Sequence, residues 1–298
     1  MIREYRLMSI FGKKATKKEQ RDLIRTVKNS DRGKKQAREQ LKSLMETKDP
    51  AVMERIADAR VRLYAQAAYE GDEQAQYRIG ISQAKLGNKE VSLEWLTGLA
   101  RKGDVKAMKA IARGYAPNGI YGYSRQEYRH WTQKAAEAGD AQAQADLGEL
   151  FAGKDEKRSR YWYKQSAMQS CPAGCIGLGK ACYNEALKSF GDEETGRRQE
   201  MLERAEKCFL RAADAAERDE DFSAACRELG SLYEFMAGAD GGGEDSAERS
   251  AFFFCQAWKK GGLESDLISF NRLKDHFQLR IDPENLDQWE ESLFGGEA

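Results

Sequence analysis

Proline is scarce in this sequence, and no segment alternates as the strands of a half-buried sheet do. Only 4 of the 298 residues are proline, whereas 33% are charged, above the ~25% of an average soluble domain. Valine, isoleucine and threonine never gather into alternating runs, which argues against a sheet-based fold. Since few residues interrupt helices, the composition predicts an all-α protein.

An excess of charge of either sign is also missing. Lysine plus arginine number 49 and aspartate plus glutamate number 49, so no global field favours nucleic acid or membrane. The charge is unevenly distributed, however. Residues 1–48 hold 15 basic and 6 acidic side chains, whereas residues 281–298 hold six acids and no base.

Long apolar runs are absent, and cysteines are few. No segment approaches the ~18 consecutive apolar residues of a membrane span, and the first residues lack the apolar core of a secretion signal. The six cysteines follow no regular framework, and Cys175 and Cys182 stand about 10 Å apart along one expected helix, too far for a disulfide. We therefore expect reduced thiols and a cytoplasmic protein.

The residues of most catalytic sites are missing too. The chain has two histidines, His130 and His276, which are too far apart in sequence for paired metal ligands, and its cysteines lack the paired short spacings of a zinc site. It contains no nucleophile elbow, Walker loop or dinucleotide fingerprint. We expect no catalytic residues, no metal and no cofactor.

What the sequence does contain is a repeat. A small residue stands nine positions after a residue expected at a turn between helices, which we call a corner. The next corner stands eight positions after a bulky residue. The first interval separates Gly71 from Gly80, Gly103 from Ala112, Gly139 from Gly148, Ser170 from Gly179, and Asp221 from Gly230. The second separates Trp95 from Gly103, Trp131 from Gly139, Trp162 from Ser170, and Phe253 from Gly261. The stretch between small and bulky residues varies from 14 to 29 residues.

Constant intervals are typical of packed helices and variable ones of loops, because loop length costs little free energy. Each repeat is therefore predicted to be helix A, a loop, helix B and a short corner. A glycine such as Gly148 within helix A costs about 1 kcal/mol but lets a neighbouring helix approach closely. Residues 184–200 and 237–245 are predicted to be loop insertions, the second of them mobile because of its four glycines.

The corners have a chemistry of their own. Gly71, Gly103 and Gly139 are expected to end helices in the left-handed conformation. The aspartate after each of them, such as Asp140, is expected to cap the next helix.

One stretch carries a family resemblance. The string "AQADLGELFAGKDEKRSRYWYKQSA" (143–167) resembles the repeat A-x-x-x-L-G-x-x-Y, loop, W-Y-x-K-A-A of the Sel-one-like repeat (SLR) family, relatives of the tetratricopeptide repeat. The resemblance covers about residues 50–262, with about five repeats. It implies a right-handed α/α solenoid of helix-turn-helix repeats.

The two ends differ from the repeats. We divide the chain into a basic helical arm at 1–48, a repeat solenoid at 49–265 and acidic capping helices at 266–298. Leu23, Ile24 and Val27 mark the apolar face of one arm helix, and Leu41, Leu44 and Met45 mark that of the next. Asp49-Pro50 and Asp282-Pro283 are each expected to start a helix. Both ends are expected to cover the terminal repeats; alternatively, the arm contacts an acidic partner or anionic surface.

The resemblance also implies a concave surface lined by the A helices. Eight residues are expected to face it: Lys106, Lys109, Arg113, Gln142, Glu149, Lys180, Tyr183 and Arg227. The first three are cations on one helix face with no acid between them. Three such cations suit an acidic peptide or a terminal carboxylate.

SLR proteins typically assemble complexes, so the resemblance implies a non-catalytic protein-interaction scaffold or adaptor of the bacterial type. We expect a protein or peptide partner, acidic where it meets the cations, and neither a membrane nor a nucleic acid. One alternative is a cytoplasmic inhibitor, of the immunity-protein type, that neutralises a single partner. A remote alternative, implied by secreted cysteine-rich relatives, is a β-lactam-binding or β-lactam-hydrolysing enzyme.

Overall fold

The computed structural model describes residues 17–32, 34–46, 49–188, 195–239, 243–279 and 283–294. Fifteen helices and no strand occur in these ranges, which confirms the all-α repeat fold. The helices are α1 Lys17–Asp31, α2 Lys35–Glu46, α3 Pro50–Tyr69, α4 Glu73–Lys85, α5 Lys89–Arg101, α6 Val105–Tyr115, α7 Arg125–Glu137, α8 Ala141–Phe151, α9 Glu156–Met168, α10 Pro172–Lys188, α11 Thr195–Asp214, α12 Asp219–Ala239, α13 Gly243–Gly261, α14 Glu264–Phe277 and α15 Leu286–Phe294.

The chain divides into two compact units, Met1–Trp131 and Thr132–Ala298. In the first unit α1 packs on α2 and α3. Helices α3 and α4, α4 and α5, and α5 and α6 pack on one another in pairs. In the second unit consecutive helices from α8 to α14 pack in the same way, and α15 packs on α13. The boundaries proposed for the arm, solenoid and caps stay predictions.

The corners follow the local rules expected of them. Gly71, Gly103 and Gly139 have φ angles of +100°, +94° and +91°. Each following aspartate caps its helix: the N–H of Ala143, for example, donates to Oδ1 of Asp140 at 2.9 Å. The fourth corner, Ser170, takes the same left-handed conformation at φ +56° without being glycine.

The small residues within the A helices lie against helix B of the same repeat, as expected. In helix B, the side chain that contacts the glycine belongs to the residue directly after the bulky residue of the eight-residue interval. A Cβ at Gly80 would lie 2.7 Å from Cγ of Leu96, and one at Gly230 would lie 2.9 Å from Cδ2 of Phe254. The sequence intervals did not specify which side chain of helix B makes this contact.

Helix B also carries a polar contact that the sequence analysis missed. The buried Ser92 hydroxyl donates to the Gly80 carbonyl, and the buried Ser250 hydroxyl donates to the Gly230 carbonyl, both at 2.7 Å. Each serine stands four residues before the side chain that packs on that glycine. This hydroxyl fixes helix B against the glycine of helix A.

The predicted loop insertions are wrong over most of their length. Helix α10 continues to Lys188 and α11 begins at Thr195, while α12 continues to Ala239 and α13 begins at Gly243. Residues 189–194 and 240–242 lie outside the described ranges. Within the first stretch Ala186 is buried, and just beyond the two stretches Met201, Leu202 and Ala247 are buried as well, so the lengthened helices pack into the core.

Two expectations for the ends need correction. Leu44 is 37% exposed, whereas the rest of the predicted apolar faces of α1 and α2 packs with Ile56 and Ala59 of α3. The last helix begins at Leu286, after a 3-10 turn at Pro283–Asn285, and Asp282 lies outside the described residues. Its predicted face, Leu286, Trp289 and Leu293, does pack into the core of the second unit.

Candidate protein-interaction surface

Helix α6 carries three of the eight predicted surface residues. Asp104 caps its start by accepting from the N–H of Ala107 at 2.8 Å. One face, including Met108 and Ile111, is buried, which leaves Lys106 and Arg113 exposed and Lys109 half-buried. Because α6 contains no acidic residue, its outward face is purely cationic.

The spacing of these cations is set by the helix. Lys109 and Arg113 follow Lys106 by three and seven residues, which places the three Cα atoms within about 10 Å along the axis. Lys106 and Arg113 form no ion pair within the described part of the chain. Two exposed guanidinium or ammonium groups therefore remain available to an anionic partner.

The Tyr77 hydroxyl on α4 interacts electrostatically with residues at both ends of α6. Burial and the nearby Asp104 carboxylate raise the pKa of the Tyr77 hydroxyl, while the Arg113 guanidinium opposes that rise. The phenol of a neighbouring A helix is therefore within the electrostatic reach of Arg113. It can supply a hydrogen bond or an aromatic contact beside the cations.

In the second unit Gln142 and Glu149 lie on α8. Gln142 is half-buried and donates through Nε2 to Oδ1 of Asp146 at 2.8 Å, and Cys171 Sγ lies 3.9 Å from its Oε1. Glu149 is exposed. The amide of Gln142 is therefore engaged within the protein, whereas the Glu149 carboxylate faces solvent.

Lys180 and Tyr183 lie on α10 and contact α12. Lys180 Nζ lies 2.7 Å from Oε1 of Glu228. The Tyr183 ring packs edge-on against Phe235, with centroids 5.6 Å apart. Both side chains link two neighbouring A helices.

Arg227 on α12 is bound more strongly still. Its Nε and Nη2 donate to Oδ1 and Oδ2 of Asp266 at 2.7 and 2.9 Å. Asp266, on α14, is only 1% exposed. This bidentate pair holds α12 to α14, so the structure gives Arg227 an internal partner.

The eight residues therefore divide between the two units: Lys106, Lys109 and Arg113 lie in the first and the other five in the second. All lie on A helices, and α10 packs on α12, so Lys180, Tyr183 and Arg227 share one neighbourhood. Lys180 and Arg227 already have carboxylate partners there, which the sequence analysis missed because each partner lies far along the chain. Lys106 and Arg113 in the first unit are the predicted cations that keep exposed, unpaired charge.

A polar cluster in the first unit was also missed. Asp31, at the end of α1, accepts a hydrogen bond from the Tyr64 hydroxyl at 2.5 Å and lies 2.6 Å from Arg78 Nη1. Arg78 also lies over the Tyr64 ring. Since the three residues come from α1, α3 and α4, the cluster ties the arm to the first repeats.

The described ranges contain side chains of the metal-ligating types and thiols. No three histidine, cysteine, aspartate or glutamate side chains there are grouped so that they could hold a metal ion. All six cysteines are free thiols, and burial raises the pKa of Cys208 to about 11, which makes its thiolate rare near neutrality. None of the described helices has the length and apolarity needed to cross a membrane.

Comparisons with known proteins place the fold. No protein-family model matches the sequence, and no curated protein matches it. One similar solved structure is a protective antigen present in uropathogenic Escherichia coli strains that displays an SLR fold, with a TM-score of 0.59 and 22% identity over 84% of this chain and 54% of that one. Another is a Sel1 repeat protein from Oxalobacter formigenes, with a TM-score of 0.50 and 24% identity over 80% of this chain and 99% of that one.

The chain thus has the helical-repeat fold of SLR proteins, as its sequence pattern indicated. It spans about half the length of the Escherichia coli antigen. At these identities the likeness describes the fold.

Proposed function

We propose that this protein is a non-catalytic interaction scaffold of the cytoplasm that binds a protein or peptide partner through its A helices. The observation that carries the proposal is the α6 surface, where Lys106 and Arg113 are exposed on a helix without acids. Unpaired cations beside a phenol suit carboxylates. The partner segment is therefore acidic.

The contrast between the units supports this placement. Lys180 and Arg227 are neutralised by Glu228 and Asp266, so binding an acidic segment there requires breaking existing pairs. Binding at Lys106 and Arg113 requires no such exchange. A purely structural role for these two side chains would leave two exposed like charges on one helix, at a small cost to the helix.

The test reverses the exposed cations with K106E/R113E. The matched control is K157E/K164E on α9, where both lysines are exposed and also stand seven residues apart. Fluorescence anisotropy with a labelled glutamate-rich peptide measures affinity, and crosslinked capture from native lysate measures partner recovery. We expect K106E/R113E to lose at least about tenfold in affinity and to recover less partner, while the control matches wild type.

Circular dichroism must show the wild-type helix content in both variants for the comparison to count. Equal peptide affinity and equal partner recovery by wild type and K106E/R113E would remove the proposal. Equal losses by both variants would show that net charge, and not the α6 surface, determines binding.

A further inference from the structure

Helix α1 carries a longer cationic surface than α6, which the proposed function does not use. Five basic residues follow one another at intervals of three, four, three and four, the spacing of one helix face. These residues, which we call the α1 basic stripe, are Lys18, Arg21, Arg25, Lys28 and Arg32, and all five are exposed. The N–H of Arg32 donates to the Lys28 carbonyl at 3.1 Å, so the helical spacing continues past Asp31.

The stripe keeps a positive charge, since its five basic residues outnumber the two exposed acids beside it on α1, Glu19 and Asp22. None of its five side chains forms an ion pair there. The acid at the end of the helix, Asp31, is turned inward to Arg78 and Tyr64. The stripe is about 21 Å long, and like charges three and four residues apart repel one another, so an anionic surface laid along it would be attracted.

The other face of α1 limits what that surface can be. Val27 is fully buried and packs with Ile56 and Ala59 of α3, with Leu23 and Ile24 beside them. Because the apolar face of α1 is already used, the helix cannot insert it into a lipid bilayer as interfacial helices do. Pairing with carboxylates on a protein surface needs only the exposed cations.

A surface of the opposite sign lies on α15. Leu286 is buried, Trp289 and Leu293 pack against the same core, and Glu290 and Glu291 are exposed. The sequence around this helix, residues 281–298, contains six acids and no base. It is the acidic counterpart of the arm within one chain of zero formal net charge.

We propose that the α1 basic stripe of one copy binds the acidic outer face of α15 in a second copy. The two surfaces differ, so the contact is heterologous, and each bound pair keeps one basic surface open on one copy and one acidic surface open on the other. Association is therefore open-ended. Since its contacts are exposed charges, it is weak and is screened by salt.

Sedimentation velocity on the full chain across a range of concentrations, at about 20 mM and about 500 mM NaCl, provides the first test. We expect species larger than a dimer to form with rising concentration at low salt and only monomer at high salt. The head variant R21E/R25E and the tail variant E290K/E291K should each weaken self-association at least about tenfold.

Mixing the two variants gives the decisive result. The head variant keeps an intact α15 and the tail variant keeps an intact stripe, so a mixture can form one correct contact and then stop. We expect a one-to-one heterodimer that grows no further. Matched controls with the same charge changes are K157E/K164E on α9 and E90K/E94K on α5, whose side chains are exposed; both should assemble like wild type.

A wild-type protein that stays monomeric at low salt and high concentration overturns the proposal, and so does assembly that survives in R21E/R25E. Vesicles containing phosphatidylserine and single-stranded oligothymidylate are run in parallel. Binding of either probe through the stripe by a protein that never self-associates would assign the stripe to lipid or to nucleic acid instead. Circular dichroism of each variant confirms that its helices are retained.

Discussion

The ring of Tyr163 fills the space that Gly148 leaves open. A Cβ at Gly148 would lie 2.7 Å from Cδ1 of that ring, and a Cβ at Gly177 would press on the ring from α10. One side chain of helix α9 is thus held between glycines of the A helices that precede and follow it. The cost of two helical glycines is offset by the packing of this ring.

Replacing Gly148 by alanine should therefore destabilise the second unit. Alanine is the better helix former by about 1 kcal/mol, but the ring cannot retreat because Gly177 lies behind it, and overpacking costs about 1–3 kcal/mol. We expect a lower urea midpoint for G148A. The control is G98A in α5, an exposed position where an added Cβ meets nothing within 4 Å; it should raise the midpoint. A higher midpoint for G148A would contradict the packing account.

Ser170 offers a stabilising change at the fourth corner. It holds φ at +56°, a conformation that costs a residue with a Cβ about 1 kcal/mol relative to glycine. S170G should raise the thermal midpoint, although it loses an exposed contact from Arg211 to the hydroxyl. S170A loses the same contact and keeps the strain, so it should raise nothing. Equal midpoints for the two variants would show that the backbone conformation is not strained.

The pair of Arg227 and Asp266 should matter far more than a surface ion pair of similar length. R227M leaves the Asp266 carboxylate, only 1% exposed, without its cation, which typically costs about 3–5 kcal/mol. K180M removes a lysine that is 51% exposed and pairs with Glu228, and such pairs contribute about 0–1 kcal/mol. Urea unfolding of the two variants measures the difference. Similar small losses in both would mean that the Asp266 site admits solvent.

The sequence alone predicted the features that are decided within a few neighbouring residues. Glycine followed by aspartate specifies a left-handed corner and a capped helix, and Gly139 and Asp140 behave in this way. The constant interval to the small residue likewise reflects a helix of fixed rise. These features follow from local backbone geometry, which does not depend on contacts with residues distant in the sequence.

Features decided by distant residues could not be predicted. Arg227 was expected to bind a partner, and its carboxylate lies 39 residues further along the chain. The side chain of helix B that meets the glycine could not be named in advance, because the angle at which the two helices cross decides it. The insertions lengthened helices whose adjoining residues, such as Met201 and Leu202, are buried, and the number of residues between two repeat positions does not reveal such packing.

The hydrogen bond between Tyr64 and Asp31 makes a prediction at alkaline pH. Burial, the hydrogen bond to Asp31 and the charge of that carboxylate raise the pKa of Tyr64 to about 12, against the opposing effect of Arg78 and Arg60. The unfolded chain titrates near pH 10. The folded protein therefore holds the phenolic proton more tightly, and the resulting stability is complete below about pH 10 and is lost between about pH 10 and pH 12.

Y64F removes this titration and the hydrogen bond together. At neutral pH it should cost about 1–3 kcal/mol, because the hydroxyl donates to a charged acceptor, and its stability should then fall less steeply than that of wild type as the pH rises from about 10 to about 12. Urea midpoints across this range measure both effects. Y69F, on the same helix at a side chain 64% exposed, should follow the wild-type curve. Curves for Y64F and wild type that run parallel through the alkaline range would show that Tyr64 titrates alike in the folded and unfolded protein, and would contradict a stabilising hydrogen bond from Tyr64 to Asp31.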